Sequence, residues 1–291
     1  MPELPEVETI VRELRRAGVV GRRILRATVR WNGIIAEPRA PAFRRNIRGR
    51  RIEGLARRGK FIVMQLSEGL TLLIHLRMTG RLEWSGGKQK ADPHEHVVLT
   101  LDDGRVLGYH DTRKFGRWFL LGDASKRLGR LGPEPLGREF TVGWLSRLLS
   151  AHARMLKPLL LDQRCVAGLG NIYVDEALWE AGLHPRQSSN SLTPADWKRL
   201  HRSIRQVLSR GIRRRGTSLG RGEANFYSAA GRRGRNQDGL RVFRRTGRPC
   251  PRCGRPIVRL VVAQRSTHVC LECQKERSSK RSLVVSGSLL L

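Results

Sequence analysis

The sequence predicts an α+β chain of several domains: an N-terminal β-sandwich opened by a helix, a helical middle domain and a small C-terminal ribbon. Three observations lead there. Between residues 23 and 109, short apolar or β-branched runs recur, separated by glycine and aspartate turn signals. Past residue 140 the apolar period changes to that of helices. Near the end, Cys250-x2-Cys253-x16-Cys270-x2-Cys273 sets two Cys-x-x-Cys arms either side of a short span.

Taken in order, Val7, Ile10, Val11 and Leu14 stand at helical spacing over residues 6–17, and Gly18 can end that helix. Strands are expected over 23–31, 60–66, 70–76, 96–101 and 105–109, with turns at Gly59, Gly69, Gly86-Gly87 and Asp103-Gly104. Regular short strands of this kind suggest a sandwich. The stretch GDASKRLGRLGPEPLGRE, from about 122 to 140, reads as a linker. Gly168-Leu169-Gly170-Asn171 followed by IYVDEALWEAG predicts a tight turn, Asn171 as N-cap, and a helix ending at Gly182. Tyr173, Leu178 and Trp179 are assigned to the core. Thr193-Pro194-Ala195-Asp196 has the form of a capping box with proline at the first helical position. Trp197, Leu200, Ile204, Val207 and Leu208 then line one face up to Gly211. Residues 212–238, rich in Gly, Arg and small polar residues, are expected to form a long flexible loop, and 276–291 a disordered tail. The domains are therefore drawn at 1–133, 141–225 and 238–275.

The cysteine arms carry the most specific local signal. Each places two thiolates on one tetrahedral edge, and the 16 residues between them suit a β-hairpin. Four thiolates fit a single Zn2+ and leave no coordination position open, so the metal is structural. Four of the five cysteines used in this way also suit a reducing compartment.

The net charge is +32, from 57 basic and 25 acidic residues, and the pI is near 11.6. Such an excess implies partners rich in phosphate. An anionic membrane is the competing partner, but no amphipathic basic helix dominates and no apolar run approaches the roughly 18 residues of a span. The first turn is acidic and lacks the apolar segment of a signal peptide. A cytoplasmic, nucleoid-associated monomer is expected. Only nine of the 57 basic residues are lysine, which singles out Lys60 and Lys157 as places where a compact ammonium is wanted.

The first residues, Met1-Pro2-Glu3-Leu4-Pro5-Glu6, permit a specific chemistry. Removal of Met1 would leave Pro2 as a secondary amine. An α-amino group has a pKa of about 7.7–8.0, against about 10.4 for lysine, so part of it is free to attack a sugar aldehyde carbon as an iminium-forming nucleophile. Glu3 and Glu6 could move the protons. The alternative is that these prolines and acids merely start a helix, where both are favoured.

MPELPEVET at the start, HLRMTG at 75–80, DTRKFG at 111–116, GLGNIYVDEALWEAGLHP at 168–185 and the four-cysteine finger occur together and in order. Over residues 1 to about 275 the chain resembles the bacterial formamidopyrimidine-DNA glycosylases, which remove oxidised purines and then cut the strand. The resemblance implies a helix–two turn–helix middle domain, a zinc ribbon and damaged double-stranded DNA as partner. It implies Pro2 as nucleophile, Glu3 as proton carrier, Glu6 as a supporting carboxylate, and Lys60 and Arg265 as residues at the lesion and its phosphates. It assigns DNA contacts to His94, Arg113, Lys157 and Asn171, and filling of the emptied stack to Met78, Arg113 and Phe115. From the residues alone, His75, His94, His96 and His110 are ordinary strand histidines. The loop beginning Gly216-Thr217-Ser218-Leu219-Gly220 opens as in the family and then departs from it, so the resemblance does not extend to the lesion preferred. An endonuclease VIII-like enzyme for oxidised pyrimidines is the near alternative, which the Leu4-containing start and the finger disfavour. A non-catalytic zinc-ribbon DNA-binding protein is the distant one, and it has no use for Pro2 and Glu3 together.

Overall fold

The computed structural model describes residues 2–86, 92–220 and 225–277. It opens with α1 (Leu4–Arg16), whose apolar stripe follows the expected spacing, and Gly18 turns the chain away with φ +67°. β1 (Ile24–Val29), β2 (Ile35–Glu37), α2 (Ala40–Ile47), β3 (Ile52–Arg58), β4 (Phe61–Leu66), β5 (Thr71–His75), β6 (Arg81–Ser85), β7 (Glu95–Leu101), β8 (Val106–His110) and β9 (Arg117–Leu121) follow. They form two sheets, β1-β7-β8-β6 and β2-β9-β5-β4-β3, antiparallel except for the β2–β9 pair. Side chains alternate along each strand, so Ile24, Val97, Leu99 and Tyr109 of one sheet meet Ile62, Met64, Ile74 and Trp118 of the other. β3, β6 and β9 are not among the runs picked out in the sequence. In β3 and β6 charged residues interrupt the apolar pattern, and only pairing with β4 and β8 makes them strands.

The second half is built from α3 (Ser125–Leu128), α4 (Val142–Ser150), α5 (Leu156–Leu161), α6 (Asn171–Ala181) and α7 (Pro194–Arg213). Thr193 and Asp196 form the expected capping box at the start of α7. Gly182 ends α6 in the left-handed conformation, φ +68°. α6 is the axis of this half. Residues on all its sides are buried, including Tyr173, Val174, Leu178 and Trp179, as befits a helix enclosed by others. The ribbon, β10 (Val258–Val262) paired with β11 (Arg265–Val269), packs its small core on Trp179.

Three sequence expectations need correction. The linker around 122–140 contains α3, and Glu134 within it bonds to the β3–β4 turn. The described part of 212–238 is not a loose loop. Thr217, Ser218, Ser228 and Asn236 are buried, and Ser218 Oγ donates to the Phe226 carbonyl at 2.6 Å. Small polar side chains bonding the backbone give that stretch its order where regular structure is absent. Finally, Asn171 is not the N-cap of α6. Gly170 is, and Asn171 is the first helical residue. Of the expected tail, Arg277 is paired with Asp196, and residues from 278 onward lie outside the described ones.

α1 spans the two halves. Val7, Ile10, Val11 and Leu14 belong to the sandwich core, whereas Leu4 is buried in the helical core. Its amide donates to the Gly168 carbonyl at 3.0 Å, and a Cβ on Gly168 would lie 2.7 Å from Leu4. This close approach places the acidic start of α1 against the start of α6.

Candidate active site

Helix α6 has no capping side chain of its own, and its first amides need acceptors. Glu3 supplies them from the other half of the molecule. Its Oε1 accepts from Ile172 N at 2.9 Å and its Oε2 from Tyr173 N at 3.3 Å, the two amides that an N-cap side chain ordinarily satisfies. A Cβ on Gly170 would lie 2.3 Å from the Glu3 carboxyl carbon, so glycine there leaves room for the incoming carboxylate. Burial, with a smaller push from Glu6, raises the Glu3 carboxyl to about 7 against the opposing pull of Lys60 and the Ile172 amide. It therefore changes charge in the range where proton transfer is most useful.

Glu6 lies one turn along and is equally buried. Its Oε2 accepts from the Glu3 amide at 2.9 Å, and its Oε1 from Tyr173 Oη at 2.9 Å and Thr217 N at 2.7 Å. Burial raises this carboxyl too, against those hydrogen bonds. Tyr173 is core, as expected, but its hydroxyl also links α1 to the 216–236 segment, which its hydrophobic surroundings in the sequence did not reveal. Lys60, in the β3–β4 turn, is also buried. Burial lowers its pKa, while Glu3 and Glu6 hold it charged and Arg265 and Arg77 oppose them. Pro2, Glu3, Glu6, Lys60 and Arg265 are thus brought together from α1, the strand turn and the ribbon.

Pro2 lines a cleft of about 370 Å³, together with Met78, Arg113, Thr217, Phe226 and Arg244. Met78 is 38% exposed and Phe115 45% exposed, so neither is a core residue. The Arg113 guanidinium stacks over the Phe115 ring at 4.5 Å. Both loops hang on Asp111, the first residue of the DTRKFG motif, to which no such tethering role was assigned from the sequence. Its carboxylate accepts from Thr79 Oγ1, from Arg113 N and from Gly116 N, the last at 2.7 Å. His94 is half-buried beside Thr79 and Asp111, behind this rim, and its carbonyl accepts from Asp111 N. His96 bonds the Asp111 carbonyl and His110 bonds Asp92, in keeping with strand histidines.

Asn171 turns its amide to the ribbon and donates to the Ser266 carbonyl at 3.0 Å. Lys157 converges on the same carbonyl at 2.9 Å and on Asp175 at 2.6 Å. Its side chain has no exposed surface, so in this arrangement it cannot meet a phosphate; it is a buried ion pair that ties α5 and α6 to β11. No sequence signal points to this pair, because Asp175 reads as an ordinary helix residue.

The four cysteines of the ribbon place their sulfurs within 4.8 Å of one another, with Cys253–Cys270 at 3.4 Å and Cys250–Cys273 at 3.9 Å. Tetrahedral Zn–S bonds of about 2.3 Å put sulfurs roughly 3.8 Å apart. Cys250, Cys253, Cys270 and Cys273 therefore fit one structural zinc, and Trp179 Nε1 donates to the Cys250 sulfur.

Three family models match this chain in order: the formamidopyrimidine-DNA glycosylase N-terminal domain over residues 1–118, the H2TH domain of the same enzymes over 131–221, and the zinc finger found in FPG and IleRS over 247–275. The formamidopyrimidine-DNA glycosylase of Protochlamydia amoebophila is 46% identical over 95% of this chain and 100% of its own length. The chain belongs to the formamidopyrimidine-DNA glycosylase family. The enzyme of Enterococcus faecalis is 44% identical over 94% of the chain and 98% of its own. Among solved structures, the MutM (Fpg) protein of Thermus thermophilus superposes with a TM-score of 0.85 at 41% identity, covering 95% of this chain and all of that one. A Lactococcus lactis Fpg complexed with DNA containing an abasic site superposes at 0.86 and 34% identity, over 94% of this chain and all of the other. No helix among the described residues is long and apolar enough to cross a membrane.

The buried Lys157–Asp175 pair yields a test. Lys157→Met leaves the Asp175 carboxylate without its counter-charge, at an expected cost of about 3–5 kcal/mol in urea denaturation. A variant of unchanged stability whose only defect is weaker, less salt-dependent DNA binding would instead make Lys157 a phosphate ligand.

Proposed function

We propose that the protein is a bifunctional DNA glycosylase and AP lyase of base excision repair, acting on oxidised purines such as 8-oxoguanine and formamidopyrimidines in duplex DNA. The single observation that carries this is the buried Glu3 carboxylate, held on the first amides of α6 directly beside Pro2, which lines the cleft. The family relationship supports the substrate class. A charge of +32 suits a polyanionic partner.

In this reading the processed N-terminus presents the Pro2 amine. Its lone pair attacks C1′, and the bond from C1′ to the damaged base breaks, the base leaving with the electron pair and a proton. Ring opening gives an iminium between Pro2 and C1′. Glu3 carries protons to and from the sugar, and Lys60 and Glu6 hold its charge state. The cationic iminium acidifies C2′–H; loss of that proton expels the 3′ phosphate, and a second elimination expels the 5′ phosphate. None of these steps changes the oxidation state of the protein. Arg265 and Asn171 flank the site on the ribbon side and are assigned to the backbone phosphates. Met78, Arg113 and Phe115 occupy the space an extruded base leaves, with His94 behind them. Lys157 acts by holding the ribbon in place. The enzyme is assigned to the cytoplasm, bound to the nucleoid, as a monomer with domains at 1–133, 141–225 and 238–275. Action on oxidised pyrimidines is the second reading; a Lactococcus lactis Fpg has been solved with DNA containing one.

Borohydride should trap one covalent complex with a duplex carrying an oxidised purine, and peptide mapping should find the DNA on Pro2. Active protein that is trapped at Lys60, or not trapped at all, contradicts the nucleophile assignment. For the wedge, Met78→Ala should leave a void in the opened duplex and cost about 1–3 kcal/mol. That is roughly 5- to 150-fold in single-turnover excision of a paired lesion. The loss on a preformed abasic site should be much smaller, because no base is extruded. Equal losses on both substrates with a lowered melting temperature would make Met78 a packing residue.

A further inference from the structure

The segment joining the two halves carries Glu134, whose carboxylate has a place in neither core. Its Oε1 accepts from the Gly59 amide at 2.6 Å and from Arg58 at 3.2 Å, and its Oε2 accepts from Arg57 at 2.6 Å. Gly59 is the residue before Lys60 in the β3–β4 turn, with φ +55°. Arg57 reaches on to Glu8 of α1 at 3.0 Å, and Arg58 also donates to the carbonyls of Leu131 and Gly132 at 2.9 and 2.7 Å. The β3–β4 turn is therefore held by the joining segment through five hydrogen bonds, four of them charge-assisted by an arginine and the fifth by the Glu134 carboxylate.

That segment is in turn fixed to the turn before α6. Gly132 N donates to the Gln163 carbonyl at 2.9 Å and Ala167 N to the Pro133 carbonyl at 3.2 Å. The Gln163 side chain bonds Gly168 N and the Leu169 carbonyl, each at 2.9 Å. The same turn leads into the amides of Ile172 and Tyr173 that hold Glu3. Lys60 and Glu3 are thus both placed relative to residues 163–169, one through Glu134 and the other through α6.

We propose that Glu134 is a positioning residue for Lys60: it seats the β3–β4 turn on the interdomain segment and so fixes the spacing between the lysine ammonium and Glu3. The proposal rests on the catalytic reading given above. Charged and titratable groups facing Lys60 are Glu3 and Glu6 of α1, Arg265 of the ribbon and Arg77 beyond β5, with His75 alongside; those facing Glu3 are Lys60, Glu6, the chain N-terminus, Lys157 of α5 and the Tyr173 hydroxyl of α6. If Glu134 is lost, Lys60 recedes, and the cation that favours the ionised Glu3 and the free Pro2 amine acts more weakly. Both groups then keep their protons to higher pH, so the rise of rate with pH moves upward whichever of the two limits it.

The test is a double-mutant cycle on single-turnover cleavage of a preformed abasic site, across pH, using the full-length zinc-loaded protein. Glu134→Ala is expected to slow cleavage at neutral pH by roughly tenfold, the scale of a small misplacement near the chemistry. It should raise the midpoint of the pH–rate profile by about half a unit. In a Lys60→Ala background the same change should add little, because the lysine it positions is gone. Glu134→Gln keeps the shape and the Gly59 acceptor but loses the charge; it should show the same pattern more weakly and serves if the alanine variant does not fold. An unshifted profile, or losses that multiply independently of Lys60, overturns the positioning role and leaves the catalytic reading intact. A Lys60→Ala protein with normal cleavage and profile removes both.

Discussion

The structure turns on a carboxylate from one half of the molecule capping a helix in the other. Glu3 accepts from the second and third amides of α6, a position where helices ordinarily place their own serine, threonine or aspartate. Here the helix gives up its own capping side chain, with Gly170 at the cap and the distant Glu3 carboxylate in its place. The bond therefore does two things at once. It closes the interface between the sandwich and the helical half, and it fixes an ionisable group beside the chain's first residues.

Other features follow from that placement. Leu4 must enter the helical core for Glu3 to reach α6, so α1 is divided between two cores after its first residue. Glu3 is then wholly buried, and a carboxylate without water is unstable unless charges or donors oppose its desolvation. The amides of α6 and the ammonium of Lys60 supply part of that, and Glu6 subtracts from it. The balance falls near neutrality instead of at either extreme. Glu6 is held by a second set of donors from Tyr173 and the Thr217 amide, which couples the start of α1 to the segment over the cleft.

Much of this was legible in the sequence where the signal is local. The amphipathic spacing of α1, the capping box at Thr193 and the cysteine arms each depend on residues close in the chain, and each has its expected form. The order of the five motifs also brought Pro2, Glu3, Met78 and Arg113 to notice as a set, and the scarcity of lysine drew attention to Lys60. Misreadings arose where a partner comes from far away. Asn171 looked like a cap because the true capping carboxylate lies far back in the chain, 169 residues before the Ile172 amide it accepts from. At Lys157 the resemblance pointed to phosphate, and nothing in its neighbourhood announces Asp175, 18 residues on, as its buried counter-ion. β3 and β6 were passed over because their charged residues mask the apolar alternation. Asp111, which ties two loops of the cleft together, sits among residues whose own chemistry is more conspicuous.

The most direct measurement is the titration of Glu3 itself. Carbon-13 NMR of the glutamate carboxyls, with the Glu3 signal assigned by its loss in Glu3→Gln, follows that one group in the DNA-free protein with Met1 removed. A midpoint near 7 is expected, well above the ordinary 4.5. A Glu3 carboxyl that titrates close to 4.5 would show that burial does not dominate its surroundings, and would contradict a proton carrier poised near neutrality.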